Sequence, residues 1–272
     1  MKVLIYVNKE KDLNGTSLKT LQNELNLHSI PFDVAFCEQD IKSNKYDAVY
    51  VIGGDGTILR RAEYANTNDI PIIGINAGKL GFLSEFEQTE IPNAVKLFAE
   101  NKLKRDERIT FEIKIDNDTF IALNDVVIQR TYSKNEINGM IVDVSVSIDD
   151  VLVEKISGDG VIIATPTGST AYSLSAGGAI LAPAINAFVM TPLAAHSFNQ
   201  RSVVFSADSI CKLEFSRGNS AGIFLDGKFI KHLDKNDVVE IKKTNNKTVF
   251  LRKENSNFYD RLTKKIKEKE NY

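Results

Sequence analysis

The chain has 272 residues, 43% hydrophobic and 26% charged, which is enough apolar material for one large domain or two ordinary ones. Its formal charge of -2, from 34 basic against 36 acidic residues, argues against nucleic acid as the main partner but leaves room for a local basic patch around a small phosphorylated ligand. Cys37 and Cys211 lie far apart with no CxxC pair, His28, His196 and His232 are scattered, and no stretch approaches the roughly 20 apolar residues of a membrane span, so neither a structural zinc site nor a membrane anchor is expected. The apolar run Val3–Val7 is too short for a secretory signal and is followed by charges, so the expected compartment is the cytoplasm.

In chain order, Val3-Leu4-Ile5-Tyr6-Val7 reads as a buried strand. Leu18, Leu21 and Leu25 then recur at helical spacing behind a cap at Thr16 or Ser17. Val34-Ala35-Phe36 is a short strand, and Ala48-Val49-Tyr50-Val51-Ile52 is a stronger one that runs straight into glycines. Ile70 to Ile75 is the next, and Val95, Leu97 and Phe98 belong to a helix entered after Pro92. Strands separated by helices imply a parallel sheet covered by helices, with ligands bound beyond the carboxyl ends of the strands. Near residue 105 the period changes. Ile109, Phe111, Ile113 and Ile115 alternate with polar residues, as do Val142, Val144, Val146 and Ile148, and further short strands follow to Leu251. The chain ends in a helix with Phe258, Leu262 and Ile266 on one face.

Five segments could carry chemistry. In Gly53-Gly54-Asp55-Gly56-Thr57, three glycines let the backbone approach a ligand, and N–H groups at the start of a helix suit phosphate oxygens. Asp55 would repel phosphate unless it binds a metal, accepts a proton or merely caps the helix. Gly74-Ile75-Asn76-Ala77-Gly78-Lys79-Leu80-Gly81-Phe82-Leu83 follows the next strand, and Phe82 could stack on a flat ring or anchor the loop. Asn124-Asp125 interrupts an apolar β pattern, where polar groups must be paired or functional. The run from Gly158 through Thr165-Pro166-Thr167-Gly168-Ser169-Thr170-Ala171-Tyr172-Ser173-Leu174-Ser175 to Gly178 leads a strand into a small-residue turn, suited to a planar ligand or to a partner subunit. Leu225-Asp226-Gly227-Lys228 is a hairpin turn.

In this order the five segments resemble the NAD kinase family, as do Pro192–Ser197 and Phe258–Leu262. The resemblance implies phosphorylation of the 2′-hydroxyl on the adenosine ribose of NAD by ATP, giving NADP and ADP. It implies Asp55 as the proton acceptor, and Gly53, Gly54, Gly56 and Thr57 around the ATP phosphates with a divalent cation such as Mg2+. Asp55, Gly56, Arg60, Phe82, Asn124, Asp125, Asp159, the run Thr170-Ala171-Tyr172-Ser173-Leu174-Ser175, and Asp226 would contact NAD. No protein metal ligands are expected, nor a nucleic-acid or membrane partner. The resemblance also implies a homodimer or homotetramer. The implied fold is an α/β domain with a parallel sheet (1–103), a β-rich, sandwich-like domain (104–255), and a last helix (256–270) packing back on the first domain. Two positions depart from the family pattern: Ser157 stands where a basic residue is common, with Lys155 a substitute, and Asp125 stands where glutamate is common. A GGDG kinase acting on a lipid or sugar, or a non-catalytic NAD binder, are the competing readings; the soluble composition and the Gly168–Ser173 segment oppose the first, and the intact Asp55 opposes the second.

Overall fold

A computed structural model describes residues 1–43, 45–78, 81–131, 141–195, 201–217, 220–235 and 237–270. Lys79 and Leu80 of the second glycine loop, and His196 and Ser197 of the segment from Pro192, lie outside the described residues. The chain divides into two compact units, Met1–Glu107 with Lys247–Tyr272, and Arg108–Asn246.

The first unit opens with β1 (Val3–Val7), α1 (Thr16–Leu27), β2 (Phe32–Ala35), β3 (Ala48–Gly53), α2 (Asp55–Thr67), β4 (Ile72–Asn76), β5 (Phe86–Glu87), α3 (Ile91–Ala99) and β6 (Lys104–Arg108). β1 pairs in parallel with β2 and β3, and β3 with β4. Every residue of β1, β3 and β4 is buried, as expected of parallel strands covered on both faces. Leu21 and Leu25 of α1 pack with Ile5, Tyr50 and Val95 on one face of the sheet. Neither Thr16 nor Ser17 caps α1. Its N-cap is Gly15, in the left-handed conformation at φ 63°, and the Asp12 carboxylate accepts the N–H groups of Ser17 and Leu18 instead.

The second unit runs β7 (Phe111–Ile115), β8 (Asp118–Ala122), β9 (Asp125–Arg130), β10 (Val142–Ile148), β11 (Val151–Gly158), β12 (Gly160–Ala164), α4 (Tyr172–Ser175), β13 (Ala187–Leu193), β14 (Val203–Ser206), β15 (Cys211–Arg217), β16 (Ala221–Leu225), β17 (Lys228–Leu233) and β18 (Val238–Lys243). They form two antiparallel sheets, in the orders β11-β10-β15-β18-β7-β8 and β14-β13-β12-β9-β16-β17. Val144, Val146, Leu213 and Ile241 of the first sheet meet Val126, Ile128, Val161 and Ile163 of the second in a sandwich core. The Phe111 and Phe188 rings pack 4.4 Å apart in that core. β9 and β12 are buried on both faces because Val127, Ile162 and Ala164 turn outward against Leu181 and Ala187.

The chain then returns to the first unit with β19 (Thr248–Arg252) and α5 (Phe258–Glu270). β19 joins the parallel sheet beside β4, through Phe250 and Ile72. The division at 246/247 therefore differs from the sequence expectation, which placed residues up to 255 in the β-rich domain. The short apolar run over 248–251 marks a strand but cannot say which sheet it joins.

Candidate active site

β3 ends at Gly53, and the chain turns at Gly54 (φ -92°, ψ -179°) into α2. Gly53 has no room for a side chain, because a Cβ there would meet the Thr57 side chain at 2.6–2.8 Å. Thr57 is buried, and its hydroxyl accepts Asn8 Nδ2 at 3.0 Å. Asn8 is held in turn at the end of β1 by its N–H bond to the Ile52 carbonyl at 3.0 Å. Gly53, Thr57 and Asn8 thus fix the strand-to-helix turn, while Gly56 and Arg60 face solvent. Among the described residues no side-chain hydrogen bond caps α2, so its first N–H groups and positive dipole end point outward beyond the sheet.

Asp55 is the first residue of α2, yet it does not cap the helix. Its carboxylate reaches the loop after β4: Oδ2 accepts the Phe82 N–H at 2.6 Å, and Oδ1 accepts those of Leu83 and Ser84 at 3.1 and 3.3 Å. The approach is so close that a Cβ on Gly81 would collide with all three carboxylate atoms of Asp55. The two glycine-rich segments, 27 residues apart in sequence at this contact, are therefore one structure built around one carboxylate. Phe82 packs its ring 6.2 Å from that of Phe258 on α5, which makes it an anchor of this loop.

In the second unit, Asp226 and Gly227 form the β16–β17 turn with φ of 50° and 78°, the left-handed pair of a tight hairpin. The Asp226 carboxylate accepts the N–H groups of Leu123, Asn124 and Asp125 at 2.9, 2.7 and 3.1 Å. Asn124 is clasped from its other side, since its carbonyl accepts the Thr165 N–H at 2.9 Å and Gly168 packs directly on its backbone. Its side-chain Oδ1 is buried without a partner among the described residues. Asp159 pairs with Arg130, Nε to Oδ1 at 3.0 Å and Nη2 to Oδ2 at 3.2 Å. Within 170–175, Thr170, Ala171, Tyr172, Leu174 and Ser175 retain accessible surface. Ser173 is turned inward, its hydroxyl bonded to that of Thr191 at 2.9 Å. The Tyr172 hydroxyl donates to Gln129 Oε1 at 3.4 Å. Asn8, Gln129 and Arg130 gave no signal in sequence, because their polar ends meet partners set only by the fold.

Asp125 is buried, and that burial first, then the nearby Asp226 carboxylate, pushes its pKa from 3.8 up to about 7. Between these values the folded chain keeps a proton that the unfolded chain has lost. This group's contribution to stability is therefore present at low pH and lost as pH rises through about 7. Asp125→Asn removes that dependence. In denaturant titrations from about pH 5 to about pH 8, the wild type should lose stability relative to the variant. Parallel curves would show that Asp125 does not titrate in this window.

Residues 4–103 match the family model of the ATP-NAD kinase N-terminal domain, and residues 123–253 that of the ATP-NAD kinase C-terminal domain. An NAD kinase of Caldicellulosiruptor bescii is 35% identical over 268 residues, covering 98% of this chain and 100% of that one. An NAD kinase of Ruminiclostridium cellulolyticum is 35% identical over 286 residues, covering 98% of each. Among solved structures, the fold is similar to that of yeast NADH kinase complexed with NADH, at a TM-score of 0.81 and 24% identity, covering 97% of this chain and 86% of that one. It is likewise similar to that of an NAD kinase from Archaeoglobus fulgidus in complex with ATP, at 0.79 and 24%, covering 98% and 99%. At that identity the structures speak for the fold, and the family rests on the sequence matches. The chain belongs to the ATP-NAD kinase family, and its reaction is the transfer of the terminal phosphate of ATP to the 2′-hydroxyl of the adenosine ribose of NAD, giving NADP and ADP.

Proposed function

We propose that Asp55 accepts the proton of the attacking 2′-hydroxyl. The observation that carries this is its setting: a carboxylate beside an uncapped helix N-terminus, held by three backbone N–H groups. A carboxylate offers about four lone-pair sites. Three are taken by the loop, and the one left can receive a hydroxyl proton. Backbone N–H groups around Gly54 and Gly56 hold ATP phosphates, and open space at both Cβ positions supports that close approach. Gly53 and Thr57 contribute by shaping the turn.

NAD is held by Asn124, Asp125, Asp159 and the segment Thr170–Ser175 of the second unit. The unpartnered Asn124 Oδ1 supports this, since a buried acceptor calls for a donor such as a ribose hydroxyl or an amide. Asp226 serves NAD through Asn124 and Asp125, whose backbone it ties. Ser173 contributes through its backbone, its hydroxyl being engaged inside. Arg130 places a guanidinium beside Asp159, a cation near the position where Ser157 lacks one.

The divalent cation arrives as part of the ATP substrate. Among the described residues no three His, Cys, Asp or Glu side chains gather into a metal cage, and Mg2+ commonly binds through substrate phosphates with few protein ligands. Among the described residues no helix is long and apolar enough to cross a membrane. A homodimer or homotetramer is supported by the exposed Val151, Leu152 and Val153 on the edge strand β11. With purified protein, NAD, ATP and Mg2+, NADP should accumulate, and excess EDTA should slow it by about 100-fold or more, with Mg2+ restoring it. Undiminished NADP formation in EDTA would overturn the role given to the cation.

A further inference from the structure

The loop that holds Asp55 is itself held from behind. Its N–H groups face the Asp55 carboxylate, and its carbonyls face two arginines of the returning C-terminal segment. Arg252 on β19, 4% exposed, donates from Nη2 to the Phe82 carbonyl at 3.2 Å and from Nη1 to the Leu83 carbonyl at 3.4 Å. Arg261 on α5 donates from Nη1 to the Phe82 and Ser84 carbonyls at 3.2 and 2.8 Å. Glu85 pairs with both guanidiniums and also accepts the Lys253 N–H and the Ser256 hydroxyl. Asp106 takes the Nε of Arg252. A buried cation beside a half-buried one is costly unless both are paired. Here carboxylates neutralise them, and their remaining N–H groups converge on one short stretch of backbone.

The register of these contacts links them to Asp55. The Phe82 carbonyl and the Leu83 N–H belong to one peptide group, and the Leu83 carbonyl and the Ser84 N–H to the next. The bonds to the Phe82 and Leu83 carbonyls therefore polarise peptides whose N–H groups donate to Asp55, and bonds joined in series strengthen one another by roughly 10–30% each. The Arg261 bond to the Ser84 carbonyl fixes the next peptide, whose N–H goes to the Gly74 carbonyl. We propose that Arg252 and Arg261 are positioning residues for phosphoryl transfer: acting through the peptide groups from Phe82 to Ser84, they hold the Asp55 carboxylate in place. This rests on the reading of Asp55 as proton acceptor.

The test compares Arg261→Gln and Arg261→Lys with wild type, and repeats Arg261→Gln in an Asp55→Asn background. Folding is checked by thermal unfolding, and turnover by NADP formation. Arg261→Gln should lower kcat about 10-fold, with KM for NAD and for ATP within about twofold of wild type. Arg261→Lys keeps the charge and can reach one carbonyl, so its kcat should lie between. In the Asp55→Asn background, measured in single turnover with excess enzyme, Arg261→Gln should cost less than about twofold more, because the residue through which it acts is gone. A general structural role would instead cost the same factor in both backgrounds and would overturn the proposal. So would wild-type kcat in folded Arg261→Gln, or in Arg261→Lys should the Gln variant not fold. Full turnover in Asp55→Asn itself would sink the reading of Asp55, whereas its loss beside unchanged Arg261 variants sinks the clamp alone.

Discussion

Asp55→Asn is expected to cut kcat about 1000-fold while changing NAD affinity by less than about threefold. The substitution keeps the size of the side chain and removes its capacity to take a proton. In phosphoryl transfer much of the rate comes from positioning and charge stabilisation, so the loss stops well short of the whole enhancement. NAD affinity is spared because most of the residues assigned to it, Asn124, Asp125, Asp159 and the segment from Thr170, lie in the other unit. The structure adds a second consequence. An asparagine can keep Oδ1 on Leu83 and Ser84, but its amide then faces the Phe82 N–H, donor against donor. An N–H left unpaired in this way costs about 1–3 kcal/mol, so thermal unfolding should shift down as well. The readouts are NADP formation corrected for the folded fraction, and NAD binding by calorimetry. A variant within about threefold of wild-type kcat would remove Asp55 from proton transfer.

Gly81→Ala should be nearly as damaging, although Gly81 carries no functional group. A Cβ there would collide with the Asp55 carboxylate, so either the side chain or the loop has to move by about an ångström. Misplacement of that size in a reacting group costs on the order of 100-fold in rate. The expected signature is a kcat about 100-fold lower with KM for NAD held within about threefold, as befits a displaced catalytic group rather than a lost binding contact. Wild-type kcat would mean that Asp55 acts in some other position than the one it holds against Gly81.

Much of the site was legible in the residues themselves. Gly53-Gly54-Asp55-Gly56-Thr57 after a buried strand signals a backbone loop at a helix start, and that is where Asp55 lies. Asn124-Asp125 inside an apolar run signals a paired polar element, and the pair sits at the start of β9 tied to Asp226. Local spacing does not show which atoms of a residue are already engaged. A cap at Thr16 or Ser17 is a sound local reading, yet Asp12 does that work from a preceding turn. Thr57 and Ser173 have the hydroxyls a phosphate or ribose would want, yet both are buried on Asn8 and Thr191. The strand at 248–251 was visible as a short apolar run, but its place in the parallel sheet was not, because such a run reports burial and not which neighbour is joined.

The two kinds of sheet, the glycine turns at the strand ends and the family could be read from the residues alone, since these depend on local periodicity, backbone freedom and a long specific motif. How the carboxylates are used follows from the folded chain. Asp226 meets Asn124 across 102 residues and Arg252 meets Phe82 across 170. Partners so far apart leave no mark in local spacing; they are chosen by the burial of polar groups that must find a hydrogen bond wherever the fold brings one. That is how a loop of plain backbone comes to hold Asp55 from one side while two arginines hold the loop from the other.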